Sequence, residues 1–335
     1  MRGRIETFIH DSTILRGNPL GDPHRRKVIV YLPPEYDQNP RKRFPVFVDI
    51  VGYLGSGQAH TGWKPFEENV PLRLERLMKQ KKMGPVIALF PDCFTRLGGN
   101  QYINSSALGN YADYLLKEVL PEVDGRYRTI DNPKKRAVFG KSSGGYGAIV
   151  HGMKYAKHWG AIGCHSGDMY FDFCYRMDIP QILNHFAKHN RSVPAFLKSF
   201  YGRNKMSPDD VATMMFIAMA AFYDPDPKEL LGFHLPLDLY TGEMDEKRWA
   251  KWLRHDPIHM IEKVPAQKQL RSLKGVFIDC GIRDQWHLHY GSRILHERLK
   301  DLRIKHRYEE FDDNHSSIDY RMDVSLPWMY KRIMG

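Results

Sequence analysis

The chain has 335 residues, 42% of them hydrophobic and 12% aromatic, and carries 50 Lys+Arg against 39 Asp+Glu for a formal charge of +11. That composition excludes a disordered or low-complexity chain, and the length is enough to bury roughly three-quarters of the unfolded surface in a core. No apolar run approaches the ~18 residues of a membrane span, and the four cysteines form no C-x-x-C pair, which argues against disulfide and zinc frameworks.

In chain order, the first half alternates strand and helix signals. Lys27–Leu32 is a β-branched apolar run stopped by Pro33-Pro34, and Pro45–Val51 is a second, ending in the turn Gly52–Gly57. A helix is expected over about 67–82, a strand at Pro85–Phe90, and a helix over Tyr111–Val123. Between the last two, the polar loop Arg96–Tyr102 follows a strand, where substrate could be met, but reads rather as a solvated connection. Arg136–Phe139 is a short strand, Tyr146–Tyr155 a helix and Gly160–Cys164 a further strand.

The alternation stops at Asp168. Up to about Gln269 only helical segments and prolines follow, among them Ser207-Pro-Asp-Asp210, a strong helix start, and then a nearly all-apolar stretch to Phe222. That stretch reads as a helix buried on two sides, or as a lid whose inner face lines an apolar pocket. The pattern resumes with a strand at Gly275–Cys280, a helix at His289–Leu302, a strand at His306–Phe311 and a terminal helix over Ile318–Met334. Strands apolar on both faces and alternating with helices predict a mostly parallel sheet covered by helices. The expected organisation is one α/β core, 1–167 and 270–335, with a helical, cap-like insertion at 168–269.

The strongest chemical signal is Gly140-Lys-Ser142-Ser-Gly144-Gly145 between a strand and a helix, the setting of a G-x-S-x-G nucleophile elbow. Glycines at −2 and +2 single out Ser142 as the nucleophile, while Ser143 would offer its backbone N–H to an oxyanion. The rival reading, a phosphate-binding loop ending in Gly140-Lys141-Ser142, fails because position 135 is Lys and residues 136–139 read as strand. In a parallel sheet, functional groups collect at the carboxyl edge. Asp284 lies just past the strand at 275–280, whereas its competitor Asp279 lies inside it. His315 follows the last strand in a short polar loop, so Ser142, Asp284 and His315 have the chain order of this fold's catalytic triads. His287 and His289 form an H-x-H pair without an acidic or cysteine partner at ligand spacing and read as structural or pocket-lining; His296 and His306 read as packed or solvated. A second oxyanion donor is expected from the loop Val51–Gly55, at Tyr53 or Leu54. No metal or cofactor is implied.

These residues resemble the esterase family of α/β-hydrolases that includes esterase D, feruloyl esterases, enterochelin esterases and mycolyltransferases. The resemblance rests on Val30-Tyr-Leu-Pro-Pro-Glu-Tyr36, Phe44–Phe47 leading into Gly52, Asn110–Pro121, the elbow, Gly281–Asp284 and Asp313-Asn-His315. It implies an α/β-hydrolase fold and serine esterase chemistry on a small-molecule carboxylic ester, with Ser142, Asp284 and His315 as triad. Val51 stands where many members have histidine before the oxyanion-loop glycine, and the insertion matches no substrate motif. An acyltransferase or thioesterase with the same triad, or a non-catalytic binder on this fold, are the alternatives. The basic runs at 24–27, 41–43, 79–82 and 134–136 are dispersed without aromatic interleaving and read as solvated surface, so no nucleic-acid or membrane partner is expected. The N-terminus lacks an apolar signal segment, so a cytoplasmic location is expected, and a homo-oligomer is compatible with the sequence.

Overall fold

The computed structural model describes residues 2–335. Eight strands form one sheet: β1 (Arg4–Asp11), β2 (Arg25–Leu32), β3 (Val46–Ile50), β4 (Ile87–Pro91), β5 (Arg136–Lys141), β6 (Ala161–His165), β7 (Gly275–Gly281) and β8 (Arg307–Phe311). Their order is β1-β2-β4-β3-β5-β6-β7-β8. β3 to β8 run parallel, and β2 is antiparallel to both its neighbours. The apolar strands expected from the sequence are all present and fully buried along their length in β3, β4 and β7. β1 carried no such signal. It is an edge strand with an alternating, mostly exposed pattern, so only occasional positions such as His10 are buried.

Five helices matter for the site: α1 (Val70–Lys79), α2 (Ser143–Lys154), α3 (Pro208–Tyr223), α4 (Leu288–Asp301) and α5 (Met322–Met334). Two apolar clusters lie on the two faces of the sheet. On one, α1 and α5 cover Phe47, Phe90 and Phe139. On the other, α2 packs over Val48, Ile50 and Ile162, and its cluster runs without a break into α3 through Phe216, Ile217 and Phe222. The segment 168–269 is helical, with only isolated bridges such as Pro225–Phe233, and shares this second core with the sheet. α3 starts with a full capping box between Ser207 and Asp210, with Pro208 at its first position, as its sequence requires.

Two expectations for the surface are corrected. Arg96–Tyr102 is not a solvated connection: Asn100, Gln101 and Tyr102 are buried, because Asn100 caps the Tyr102 N–H and Tyr102 donates its hydroxyl to the Val51 carbonyl. The basic runs are not wholly solvated either. Arg26 is buried against the Tyr111 hydroxyl and the Phe94 carbonyl, and Arg136 is buried beside Asp124. Among the described residues no helix is long and apolar enough to cross a membrane.

Candidate active site

The parallel strands deliver their following loops to one edge, and the sequence-predicted site residues meet there. Ser142, between β5 and α2, has φ 59° and ψ −126°, a strained conformation that L side chains rarely adopt. The reason for its flanking glycines is visible at β3: a Cβ on Gly140 or on Gly144 would each lie 2.0 Å from the Ile50 carbonyl oxygen. The turn can close only if both positions lack a side chain. Gly145 is held similarly tight, since its Cβ would fall 2.8 Å from Gly167 Cα, which presses the loop after β6 onto the start of α2.

Asp284, in the turn after β7, accepts the Trp286 N–H at 3.0 Å on Oδ1 and holds His315 Nδ1 at 2.7 Å on Oδ2. Both residues are buried. The contact depends on Gly281 at the end of β7, where a Cβ would lie 2.4 Å from the Asp313 carbonyl. The β7 and β8 loops can therefore touch. The Trp286 ring stands edge-on to His315 with centroids 4.6 Å apart, and Gln285 accepts the His315 N–H at 3.1 Å.

Ser142 and His315 line one cavity of about 310 Å³ together with the loop Gly52–Gly55, His60, Lys141, Cys174, Val211, Met215, Trp286 and Leu288. Tyr53 and Leu54 thus both face the site region. Tyr53 is buried and anchored by its hydroxyl to the Leu97 carbonyl at 2.6 Å, whereas the Leu54 side chain is 67% exposed. The turn is closed by the Gly55 N–H donating to the Gly52 carbonyl at 2.9 Å. Ser143 is fully buried with its hydroxyl turned inward, receiving Gln101 Nε2 at 2.8 Å and donating to Asp168 at 3.1 Å. As the first residue of α2, it has a backbone N–H that no preceding helical turn receives. Among the described residues Ser142 Oγ bonds Asp168 Oδ1, at 3.4 Å, rather than His315.

The other weighed residues lie elsewhere. Asp279 is inside β7, bonded to His165 and Arg321. His287, with φ 61°, precedes α4, and His289 stacks on Tyr290. His296 and His306 bond each other at 2.7 Å. Among the described residues two groups outside the cavity lining bring metal-ligating atoms together: His185, His189 and Asp210, and Asp226, Glu229 and His234. In the first, the Arg203 guanidinium already pairs with Asp210 and reaches His189, so the position of a cation is taken.

Three polar residues of the site escaped the sequence reading. Asp168 is buried and also accepts the Tyr175 hydroxyl at 2.9 Å; burial pushes its carboxyl above the usual range against these hydrogen bonds. Its signal was available, since Ser166-Gly-Asp168 follows β6 at the edge that yields Asp284. Gln101 lay in the loop taken as solvated. His60 precedes nothing recognisable, and only the fold brings it to the cavity. The α3 stretch proved buried on most sides and cavity-lining at Val211 and Met215.

The sequence profile of the Esterase family matches residues 22–325. The chain belongs to that family. Esterase Rv1288 of Mycobacterium tuberculosis is 35% identical over 89 residues, which cover 25% of this chain and 18% of that protein. Among solved structures, a ferulic acid esterase superposes with a TM-score of 0.64 at 16% identity, covering 99% of both chains. The fluorophosphonate-binding serine hydrolase FphF of Staphylococcus aureus gives 0.60 at 14%, covering 98% of this chain and 99% of that one. An S-formylglutathione hydrolase of Agrobacterium tumefaciens gives 0.58 at 15%, covering 99% and 96%. At these identities the likeness establishes the α/β-hydrolase fold for this family member.

Proposed function

We propose that this esterase-family protein hydrolyses carboxylic esters through an acyl-enzyme, with Ser142 as nucleophile, His315 as general base and Asp284 orienting His315. The observation that carries the reading is the strained Ser142 turn sharing one cavity with an Asp284–His315 pair bonded at 2.7 Å. In this reading the Ser142 hydroxyl swings from Asp168 towards His315 as substrate enters, a contact of the kind that tightens only in the complex. His315 Nε2 takes the Ser142 proton while Oγ bonds the ester carbon. The carbonyl oxygen becomes an oxyanion facing the Ser143 N–H and an N–H of Tyr53 or Leu54. The C–O bond then breaks, His315 returns the proton to the departing alcohol, and Ser142 holds the acyl group. Water, deprotonated by His315, attacks that acyl carbon; the carboxylic acid leaves and Ser142 recovers its proton. Asp284 keeps its hydrogen bond to His315 Nδ1 and stabilises the imidazolium at each transfer.

A fluorophosphonate probe separates this reading from a non-catalytic binder on the same fold, because only an activated serine reacts. The expected outcome is one labelled peptide containing Ser142. Ser142→Ala should lose the label and at least about 10⁴-fold in kcat on an activated aryl ester while keeping its fold by circular dichroism. Undiminished hydrolysis by that variant would remove Ser142 from the mechanism.

A further inference from the structure

The catalytic cavity is not uniform. Val211, Met215, Cys174, Leu288 and Trp286 supply apolar lining, and two basic residues, Lys141 and His60, also contribute to it beside the Gly52–Gly55 loop residues. Lys141 is the last residue of β5 and directly precedes Ser142. Among the described residues its ammonium has neither a hydrogen bond nor an ion pair, although Asp319, Asp284 and Glu67 act on it electrostatically, with Lys64 opposing them. All three acids already have partners: Asp319 and Glu67 share Lys64 Nζ, at 2.7 and 3.9 Å, and Asp284 holds His315. The Lys141 charge is therefore partly withdrawn from water without a counter-ion, and burial pushes its pKa below the ordinary lysine value. Charged groups in such surroundings are normally paired.

His60 is arranged differently to the same end. Its Nδ1 lies 2.7 Å from Oδ2 of Asp49, which is fully buried in β3. With Nδ1 occupied in this way, Nε2 has no protein partner among the described residues. The groups acting on His60 are Asp49 from β3, Asp319 from the loop before α5 and Lys64 from its own loop; against desolvation, which favours the neutral ring, Asp49 keeps its pKa above the usual histidine value. Protonation of the ring is thus favoured more than in an ordinary histidine, and its Nε2 edge is left beside the cleft.

We propose that the cleft takes esters carrying a carboxylate on one arm, held by Lys141 Nζ with His60 beside it, while the other arm is apolar and lies against Val211 and Met215. The assignment rests on Ser142 being the nucleophile. A carboxylate supplies the acceptor that Lys141 lacks, and a cavity of about 310 Å³ is at the small end of ligand sites, fitting a short-chain ester rather than a polymer. Lysine binds such a group as a point charge, so arginine should replace it in part.

The test is steady-state kinetics of the full chain on two matched ester pairs. One pair carries the acid on the acyl arm (4-nitrophenyl hemiglutarate against 4-nitrophenyl pentanoate). The other carries it on the alcohol arm (4-carboxyphenyl butyrate against its methyl ester). The expected result is a preference for the acid of about tenfold or more in kcat/KM in one pair, expressed mainly in KM and reduced in 0.5 M salt. Lys141→Met should lower that preference ratio about tenfold, Lys141→Arg should restore part of it, and His60→Gln should lower it less. The preference should also weaken as pH rises and His60 loses its proton. If Lys141→Met does not fold, the wild-type preference and its salt dependence decide. Hydrolysis of both pairs without preference for the acid, or a ratio unmoved by Lys141→Met, overturns the proposal and leaves the esterase reading intact. No hydrolysis of any ester together with no fluorophosphonate label overturns the esterase reading itself.

Discussion

Among the described residues two buried Asp–His pairs, Asp284–His315 and Asp279–His165, each stand near a serine, but their surroundings differ. His315, bonded to the buried Asp284 behind it, lines the 310 Å³ cleft together with Ser142. On the other face of the sheet, Asp279 of β7 holds His165 Nδ1 at 2.6 Å, and His165 Nε2 meets Ser325 Oγ of α5 at 2.9 Å. The second set has the tighter continuous hydrogen bonding, yet Asp279 and Ser325 have no exposed surface and His165 only 2%. Asp279 also accepts Arg321 Nε at 2.9 Å. Residue type and spacing therefore do not make a catalytic site. What differs is the backbone under the serine and the space in front of it: Ser142 stands on a turn that only glycines allow, whereas Ser325 sits inside a helix packed on the sheet. The sealed set works as a polar clamp holding α5 to β6 and β7.

The contrast can be broken most sharply at the two aspartates. Asp284→Asn should reduce kcat by about 10⁴-fold while leaving the denaturation midpoint nearly in place, because the His315 tautomer and orientation are lost rather than the fold. Asp279→Asn should do the reverse, costing about 3–5 kcal/mol in urea unfolding by leaving Arg321 and His165 without their buried partner, with kcat per folded molecule close to wild type. Equal losses of activity in the two variants would erase the distinction. Next in size, Ser325→Ala should cost about 1–3 kcal/mol, since His165 Nε2 is left buried and unpaired, while fluorophosphonate labelling proceeds as in the wild type.

The smallest effect concerns Asp168, the acid beside Ser142. Burial raises its pKa, so it stays neutral over a wider acid range than an ordinary aspartate and becomes negative only at higher pH. Once ionised it opposes the negative charge developing on the substrate. Asp168→Asn should therefore leave kcat/KM near wild type at low pH and exceed it by about two- to fivefold on the alkaline side. A pH profile that is parallel for both proteins would show that Asp168 does not ionise in the working range.

Much of this was readable from residue order. Ser142 was identified by glycines at −2 and +2, and the Ile50 carbonyl is the backbone against which both press. Asp284 was preferred to Asp279 because it lies past the strand, and that placement separates the open set from the sealed one. What could not be read was contact across the sheet. Asp168, Gln101 and His60 reach the site because Gly145 meets Gly167, because Asn100 and Tyr102 fold the 96–102 loop inward, and because Asp49 fixes His60. These contacts range from two residues apart, Asn100 to Tyr102, through 11 for Asp49 and His60, to 51 for Val51 and Tyr102, and polar residues in loops carry no periodicity to announce them.

The sequence by itself determined the parallel α/β core, the elbow and the order of its chemical groups, because strand burial and tight turns impose local rules on apolar and glycine positions. The tertiary structure alone decided which Asp–His pair reaches a cavity, and that α3 lends that cavity apolar lining through Val211 and Met215. It also gave the net charge of +11 a local meaning. Arg26 and Arg136 are paired inside the fold, whereas among the described residues Lys141, beside Ser142, makes no ion pair, because whether a charge finds a partner depends on neighbours that only folding brings near.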